Sequence, residues 1–195
     1  MYEAWGDLTA EINECRKCRL CEKRTTVVPG EGNPNADIMF IGEGPGRDED
    51  LQGRPFVGAS GQLLDRMIHA IGMERTEVYI ANVVKCRPPM NRNPEPDEAA
   101  ACMPYLRNQF KLISPKIIVL LGKVACRYVL GDESPISRLR GNWILRKGVW
   151  FMPTYHPSAL LRAPEKKREA WEDFKMVKAK LLEVSKGGEV QNGNG

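Results

Sequence analysis
The sequence contains no apolar run approaching the roughly 18 residues that a membrane-crossing helix needs. Its opening, MYEAWGDLTAEINE, is acidic and polar and has no basic start followed by an apolar stretch, as a secretory leader would. Both absences lead us to expect a soluble, cytoplasmic protein with no membrane partner. An excess of one charge is also missing: 29 Lys and Arg stand against 25 Asp and Glu, a net charge of +4. An anionic partner is therefore permitted by composition but not demanded by it. Neither a P-loop nor a GxGxxG fingerprint is present, which removes the two commonest nucleotide cradles. Histidine is scarce, with only His69 and His156. No internal repeat or low-complexity block breaks the chain.

What is present suits one globular domain over 1–185, followed by KGGEVQNGNG (186–195), which has too little apolar content to pack and is expected to be disordered. Four short apolar runs read as buried strands: 36–42, 78–84, 116–122 and 149–155. Helical patterns lie between them, one opening at Ser60 as N-cap, others at 97–113 and 123–130, and a last one near 164–184. Strands alternating with helices imply an α/β fold, a three-layer α/β/α sandwich around a mostly parallel four-stranded sheet. Lys147-Gly148 in NWILRKGVWF marks a hairpin added to it. Ligands of such sheets bind at the carboxyl ends of the strands.

Six cysteines in an intracellular chain of this size argue against a disulfide scaffold. Cys126, on an apolar helical pattern, reads as a buried small hydrophobe. The other five are Cys15-x2-Cys18-x2-Cys21 and the remote pair Cys86 and Cys102. Four thiolates from such a set suit structural zinc or a [4Fe–4S] cluster, and spacing alone separates neither the metals nor Cys21 from Cys15 and Cys18.

Three further segments follow strands. GEGPGRDED (42–50) brings Gly42, Gly44 and Gly46 with Glu43, Asp48 and Glu49 to a strand end, and read alone is as well explained as a turn. GRPFVGASG (53–61) carries Phe56, either a stacking platform or an aromatic anchored in the core. YHPSALLR (155–162) places His156 where it can donate to a developing anion, Ser158 where it can meet a phosphate, and Leu160 and Leu161 where they can wedge a base stack. The alternative for it is an ordinary HPS turn.

Taken in order, Cys15-x2-Cys18, GEGPG (42–46), GRPFVGASG (53–61), the Asn82 strand IANVVKCRPP (80–89), Cys102 and HPSALLR (156–162) resemble the family 4 uracil-DNA glycosylases, the iron–sulfur branch of that superfamily. The resemblance covers about 10–184. It implies a uracil-DNA glycosylase-like fold and removal of uracil from single- or double-stranded DNA by a monofunctional monomer that leaves an abasic site. Replication or repair proteins are the further partners expected. It implies that Cys15, Cys18, Cys86 and Cys102 ligate a structural [4Fe–4S] cluster, with Cys21 a spectator. Phe56 would stack on the flipped base, and Asn82 would read its edge by donating to O4 and accepting from N3–H. His156 with backbone amides near Gly42 and Gly44 would hold the uracilate, and Ser158, Leu160, Leu161 and Arg162 would share wedge and phosphate contacts. Family 1 relatives carry an Asp and a Tyr where this chain has Gly44 and Glu49. Glu43 is therefore the candidate for placing water and Glu49 for the wall that excludes thymine's methyl, an assignment the sequence allows to be exchanged. Rival readings are a DNA-binding module without hydrolysis, a redox iron–sulfur protein, and a glycosylase of relaxed specificity.

Overall fold
The computed structural model describes residues 4–189. One mixed sheet of six strands organises it: β1 (Glu31–Gly32), β2 (Ile38–Gly42), β3 (Tyr79–Asn82), β4 (Ile117–Leu121), β5 (Ile144–Arg146) and β6 (Val149–Thr154), in the order β1-β3-β2-β4-β6-β5. The four central strands are the four expected from apolar runs, and all pair in parallel. The count of four is corrected to six, because antiparallel β1 and β5 close the two edges. β5 comes from the anticipated hairpin, whose Lys147 and Gly148 both take positive φ, 50° and 81°, as a two-residue turn requires. β1 is two residues long, half exposed, and left no apolar signal.

Strands β2 and β4 are buried at every position, because helices cover both faces of the sheet. Successive side chains alternate between those faces. Met39, Ile41, Ile118 and Leu120 pack under α1 (Trp5–Glu14), α4 (Pro96–Ile113) and α5 (Lys123–Leu130). Ile38, Phe40, Ile117 and Val119 pack against α3 (Ala59–Ala70) and α8 (Lys167–Glu189). Short helices α2 (Arg47–Gln52), α6 (Ile136–Leu139) and α7 (Pro157–Arg162) sit in the connections.

Helix α3 starts from Gly58, not from Ser60, since the Gly58 N–H is drawn to the Glu49 carboxylate at 3.0 Å. Helix α8 begins three residues later than 164, after a 3-10 turn at Pro164–Lys166, and runs on through 186–189. Of the tail expected to lack structure, 190–195 lies outside the described residues. No described helix is long and apolar enough to cross a membrane.

The chain leaves β2 toward β3 on one side and leaves β4 toward β6 on the other. The two connections diverge at the carboxyl ends of β2 and β4, which opens a crevice there.

Candidate active site and cysteine cavity
A cleft of about 660 Å³ occupies that crevice. Its floor is the strand ends, where Gly42 pairs in register with Asn82 and Leu121 with Thr154. The loop after β2 supplies Glu43, Gly44 and Glu49, the next loop Phe56, and the turn after β6 His156, Ser158 and Arg162. These are the residues singled out from the sequence, apart from Leu160, Leu161 and the cysteines.

Gly42 is required by close approach. A Cβ there would lie 2.5 Å from Asn82 Oδ1 and 2.6 Å from Phe56 Cζ, so only glycine lets the amide and the ring share the strand end. Asn82 is 2 % exposed, and its Oδ1 is buried without a hydrogen-bond partner. An unpaired buried acceptor costs about 1–3 kcal/mol, and such groups in native proteins call for a functional explanation. The Phe56 ring lies 5.5 Å from the His156 ring, tilted by 32°.

His156 is the N-cap of α7. Its Nδ1 accepts the Ser158 backbone N–H at 3.1 Å and pairs with Ser158 Oγ at 2.8 Å. A backbone N–H can only donate, so Nδ1 is the acceptor and the ring proton sits on Nε2. Burial, and next the Arg162 charge, hold the imidazole down to about 4, so it is neutral near pH 7. The site thus presents a neutral N–H donor. Ser158, expected on a phosphate, spends its hydroxyl and its N–H on orienting that ring.

Burial alone pushes the Glu43 carboxyl up to about 7. Glu49 is engaged differently. Its Oε1 accepts from Val57 N at 2.9 Å and Gly58 N at 3.0 Å, and its Oε2 from Gly46 N at 3.1 Å. Those three bonds make it a brace between the two loops, a role that its motif position did not reveal.

Leu160 must be corrected as a wedge. It is 1 % exposed and packs with Leu63, Tyr155 and Ala170. Leu161, beside it, is 40 % exposed. The rim also carries Arg47, Arg92 and Lys123 beside Arg162, cations suited to phosphates. Arg47 and Lys123 gave no signal beyond ordinary surface charge.

Cys15, Cys18, Cys21, Cys86 and Cys102 line a second, smaller cavity with Lys17, Arg24 and Lys85. Among the described residues no group of His, Cys, Asp and Glu forms a ready-made metal cage, yet the chemistry of the donors fits a thiophilic group. Arg24 Nη1 lies 3.1 Å from Cys86 Sγ, and the Lys85 N–H donates to Cys102 Sγ at 3.3 Å. Burial pushes the thiols of Cys18 and Cys86 up, and that of Cys102 to about 11. Burying thiolates here needs a bound cation, and the flanking Arg and Lys suit a donor set of net negative charge. Lys85 Nζ donates to the Asn82 carbonyl at 2.9 Å and to Gln109 Oε1 at 2.7 Å, joining the cavity wall to the strand that ends in Asn82. Glu98 gathers Arg92 and Arg19 at 2.7 and 2.9 Å, so α4 is tied to the amino-terminal cysteine segment.

Residues 29–175 match the model of the uracil DNA glycosylase superfamily. The chain belongs to this superfamily. Among its relatives is a type-4 uracil-DNA glycosylase of Sulfurisphaera tokodaii, 50 % identical over 177 residues that make up 86 % of this chain and 80 % of the relative. Type-4 uracil-DNA glycosylases of Archaeoglobus fulgidus and Saccharolobus solfataricus are 45 % and 46 % identical, each over 185 residues. These alignments take in 90 % of this chain with 92 % and 86 % of the respective relatives. Identity at this level over this coverage places the chain in the type-4 group of uracil-DNA glycosylases. The resemblance read from the motifs and the six-stranded sheet agree with that placement.

Proposed function
We propose that this protein removes uracil from DNA by hydrolysing its N-glycosidic bond, leaving an abasic site for repair. The observation that carries the reading is the unpaired Asn82 amide oxygen, which shares the end of β2 at Gly42 with the Phe56 ring, in a cleft also lined by a neutral His156. A flipped uracil stacks on Phe56 while the Asn82 amide accepts from N3–H and donates to O4. Cytosine offers an acceptor at N3 and donors at N4, so it leaves both amide groups opposed and is refused. As the bond from C1′ to N1 breaks, its electron pair passes to the uracil, and His156 Nε2–H donates to the negative charge that grows at O2. A neutral donor suits this step because it stabilises the anion without first needing a proton from solvent.

The Glu43 carboxylate holds a water for the cationic sugar. That water adds its oxygen to C1′ and passes its proton to the Glu43 carboxylate, while the uracil leaves with the electron pair of the broken bond. Among the described residues the one lysine lining the cleft is Lys123, which we place on its rim toward phosphate, so the reading is of a single hydrolytic step without an imine. Phosphates of single- or double-stranded DNA meet Arg47, Arg92, Lys123 and Arg162 on the rim, and Leu161 fills the gap left in the stack. Glu49 keeps the two loops that wall the pocket rigid and so limits what can replace uracil. We take the working unit to be a monomer in the cytoplasm.

Cys15, Cys18, Cys86 and Cys102 are proposed to hold a [4Fe–4S] cluster. When bound, the cluster supplies cross-linking of the segments around 15–24, 85–86 and 102, and no electron transfer to the reaction.

The test records the absorbance of purified protein at about 400 nm, where iron–thiolate clusters absorb. It then incubates the protein with an oligonucleotide bearing one uracil, followed by alkali. Strand breakage at uracil, and none at cytosine or thymine, is the expected result. A protein that binds the oligonucleotide and leaves it intact would be a binding module instead, and breakage at mismatched thymine would give the relaxed specificity.

A further inference from the structure
We infer that Arg75 is a positioning residue for base recognition, acting by locking Phe56 in the backbone conformation that presents its ring to the pocket. This rests on the reading of Phe56 as the stacking platform.

Phe56 has φ of 50°, in the left-handed region that a bulky side chain adopts only under constraint. Such a conformation costs on the order of 1–3 kcal/mol and persists where surrounding bonds over-determine it. The bonds are visible. Arg75 Nη1 donates to the Phe56 carbonyl at 3.1 Å, and Nη2 donates to the Pro55 carbonyl. These two carbonyls flank the Phe56 Cα. In extended backbone successive carbonyls point to opposite sides, where one guanidinium cannot reach both, so the fork selects the coiled conformation. From the other side Glu49 accepts from the N–H groups of Val57 and Gly58. The peptide group joining Phe56 to Val57 is thus gripped at its oxygen by Arg75 and at its nitrogen by Glu49, and cannot flip.

Arg75 is itself fixed. Its Nη1 lies 2.8 Å from Asp65 Oδ1 on α3, and its Nη2 lies 3.7 Å from Glu31 Oε2 on β1, a carboxylate that also pairs with Arg54 at 2.6 Å. Gly61 completes the arrangement, since a Cβ there would lie 1.9 Å from the Phe56 carbonyl oxygen. The strand β1 and the turn at Arg75–Glu77 belong to no recognition motif, and this gives them a part in the site.

The test uses the full chain carrying R75M, R75K, F56A and the double variant F56A/R75M. It measures single-turnover uracil release, inhibition by free uracil, thermal melting, and hydrogen exchange at the Val57 and Gly58 amides. R75M is expected to lose about tenfold to a hundredfold in uracil release, the scale of a displacement near 1 Å. Inhibition by free uracil should weaken in parallel. R75K keeps a charge for Asp65 but cannot fork, and should fall between wild type and R75M. Because Arg75 acts through Phe56, F56A/R75M should be no slower than F56A, a result that a general structural role would not give. Exchange at Val57 and Gly58 should accelerate in R75M. Wild-type uracil inhibition in R75M, or additive losses in the double variant, would overturn the inference. If R75M does not fold, R75K decides the point on the same readouts. If the wild-type protein releases no uracil, the glycosylase reading falls, and unchanged exchange at Val57 and Gly58 in R75M would separately remove the clamp.

Discussion

The cleft and the cysteine cavity lie close together along the chain, with Asn82 in one and Cys86 in the other, yet they are built on different principles. The cleft is written by the sheet: parallel strands in register end together, and hydrogen bonds accepted by Glu49 and donated by Ser158 and Arg75 fix the loops above them. The cavity is gathered from segments far apart in sequence, joined by side-chain bonds such as Arg19 to Glu98 and Arg24 to Cys86. Burial pushes the thiols of Cys18, Cys86 and Cys102 up there, so these resist ionisation until a cation arrives. A site that meets its ligand for moments is preformed, whereas a site that keeps its ligand can let the ligand hold it together. Changes in the cleft should therefore alter chemistry with little effect on stability, and changes in the cavity should do the reverse.

The largest effect is expected at Cys86→Ala and Cys102→Ala. Each should abolish absorbance at about 400 nm and lower the melting temperature by roughly 10 °C or more, as loss of a structural metal group does. A variant that kept full colour and stability would erase the distinction between the two regions. Next come His156→Ala and Asn82→Ala, each expected to slow single-turnover uracil release by about 10²–10³-fold while DNA binding and melting temperature stay close to wild type. Asn82→Ala should also narrow the gap between uracil and cytosine. Wild-type turnover in both variants would refute the site assignment.

A smaller effect, and one with opposite signs, is expected at Glu43. Its carboxyl titrates at about 7 in the folded protein against an ordinary 4.5. The folded state therefore holds this proton more tightly than the unfolded chain. That contribution to stability is fully present below pH 4.5 and is lost as pH rises through 7. Activity should run the other way, rising through pH 7 as the carboxylate forms. Glu43→Gln should flatten that limb of the rate profile, lower the rate on the order of tenfold at pH 8, and remove the loss of stability between pH 5 and 8. A pH–rate profile unchanged in Glu43→Gln would show that another group places the water.

The buried strands and most helices were legible because apolar runs and 3.6-residue spacing report burial directly. The site motifs were legible through their order along the chain, which resembles a known family; read singly, GEGPG, GRPFVGASG and YHPSALLR each had an ordinary structural explanation. What escaped was decided by tertiary contact. Leu160 and Leu161 are neighbours of identical chemistry, and only the packing of Leu63, Tyr155 and Ala170 buries the first and leaves the second exposed. Glu49 was placed in the right loop, but its three backbone partners depend on how that loop meets the next. Arg75 lies 19 residues from Phe56 in the chain, and MERTEV (73–78) around it reads as a connection. Two-residue β1 is a strand only because Tyr79 and Ile80 pair with it.

The smallest effect is expected at Cys21, and it sharpens the comparison most. Cys15, Cys18 and Cys21 repeat at intervals of three, so the pairs 15/18 and 18/21 have the same spacing, and all three sulfurs line one cavity. Four ligands including Cys86 and Cys102 leave one of the three unused. With Cys15 and Cys18 as ligands, Cys21→Ala should keep its iron content, its absorbance at about 400 nm and its uracil release, while Cys15→Ala and Cys18→Ala should bleach. Should Cys21→Ala bleach and Cys15→Ala stay coloured, the ligand pair moves to 18 and 21. The anchor of the amino-terminal segment would then shift from the end of α1 to the 3-10 turn at Arg19–Glu22, where the Cys21 N–H already bonds the Cys18 carbonyl at 3.2 Å.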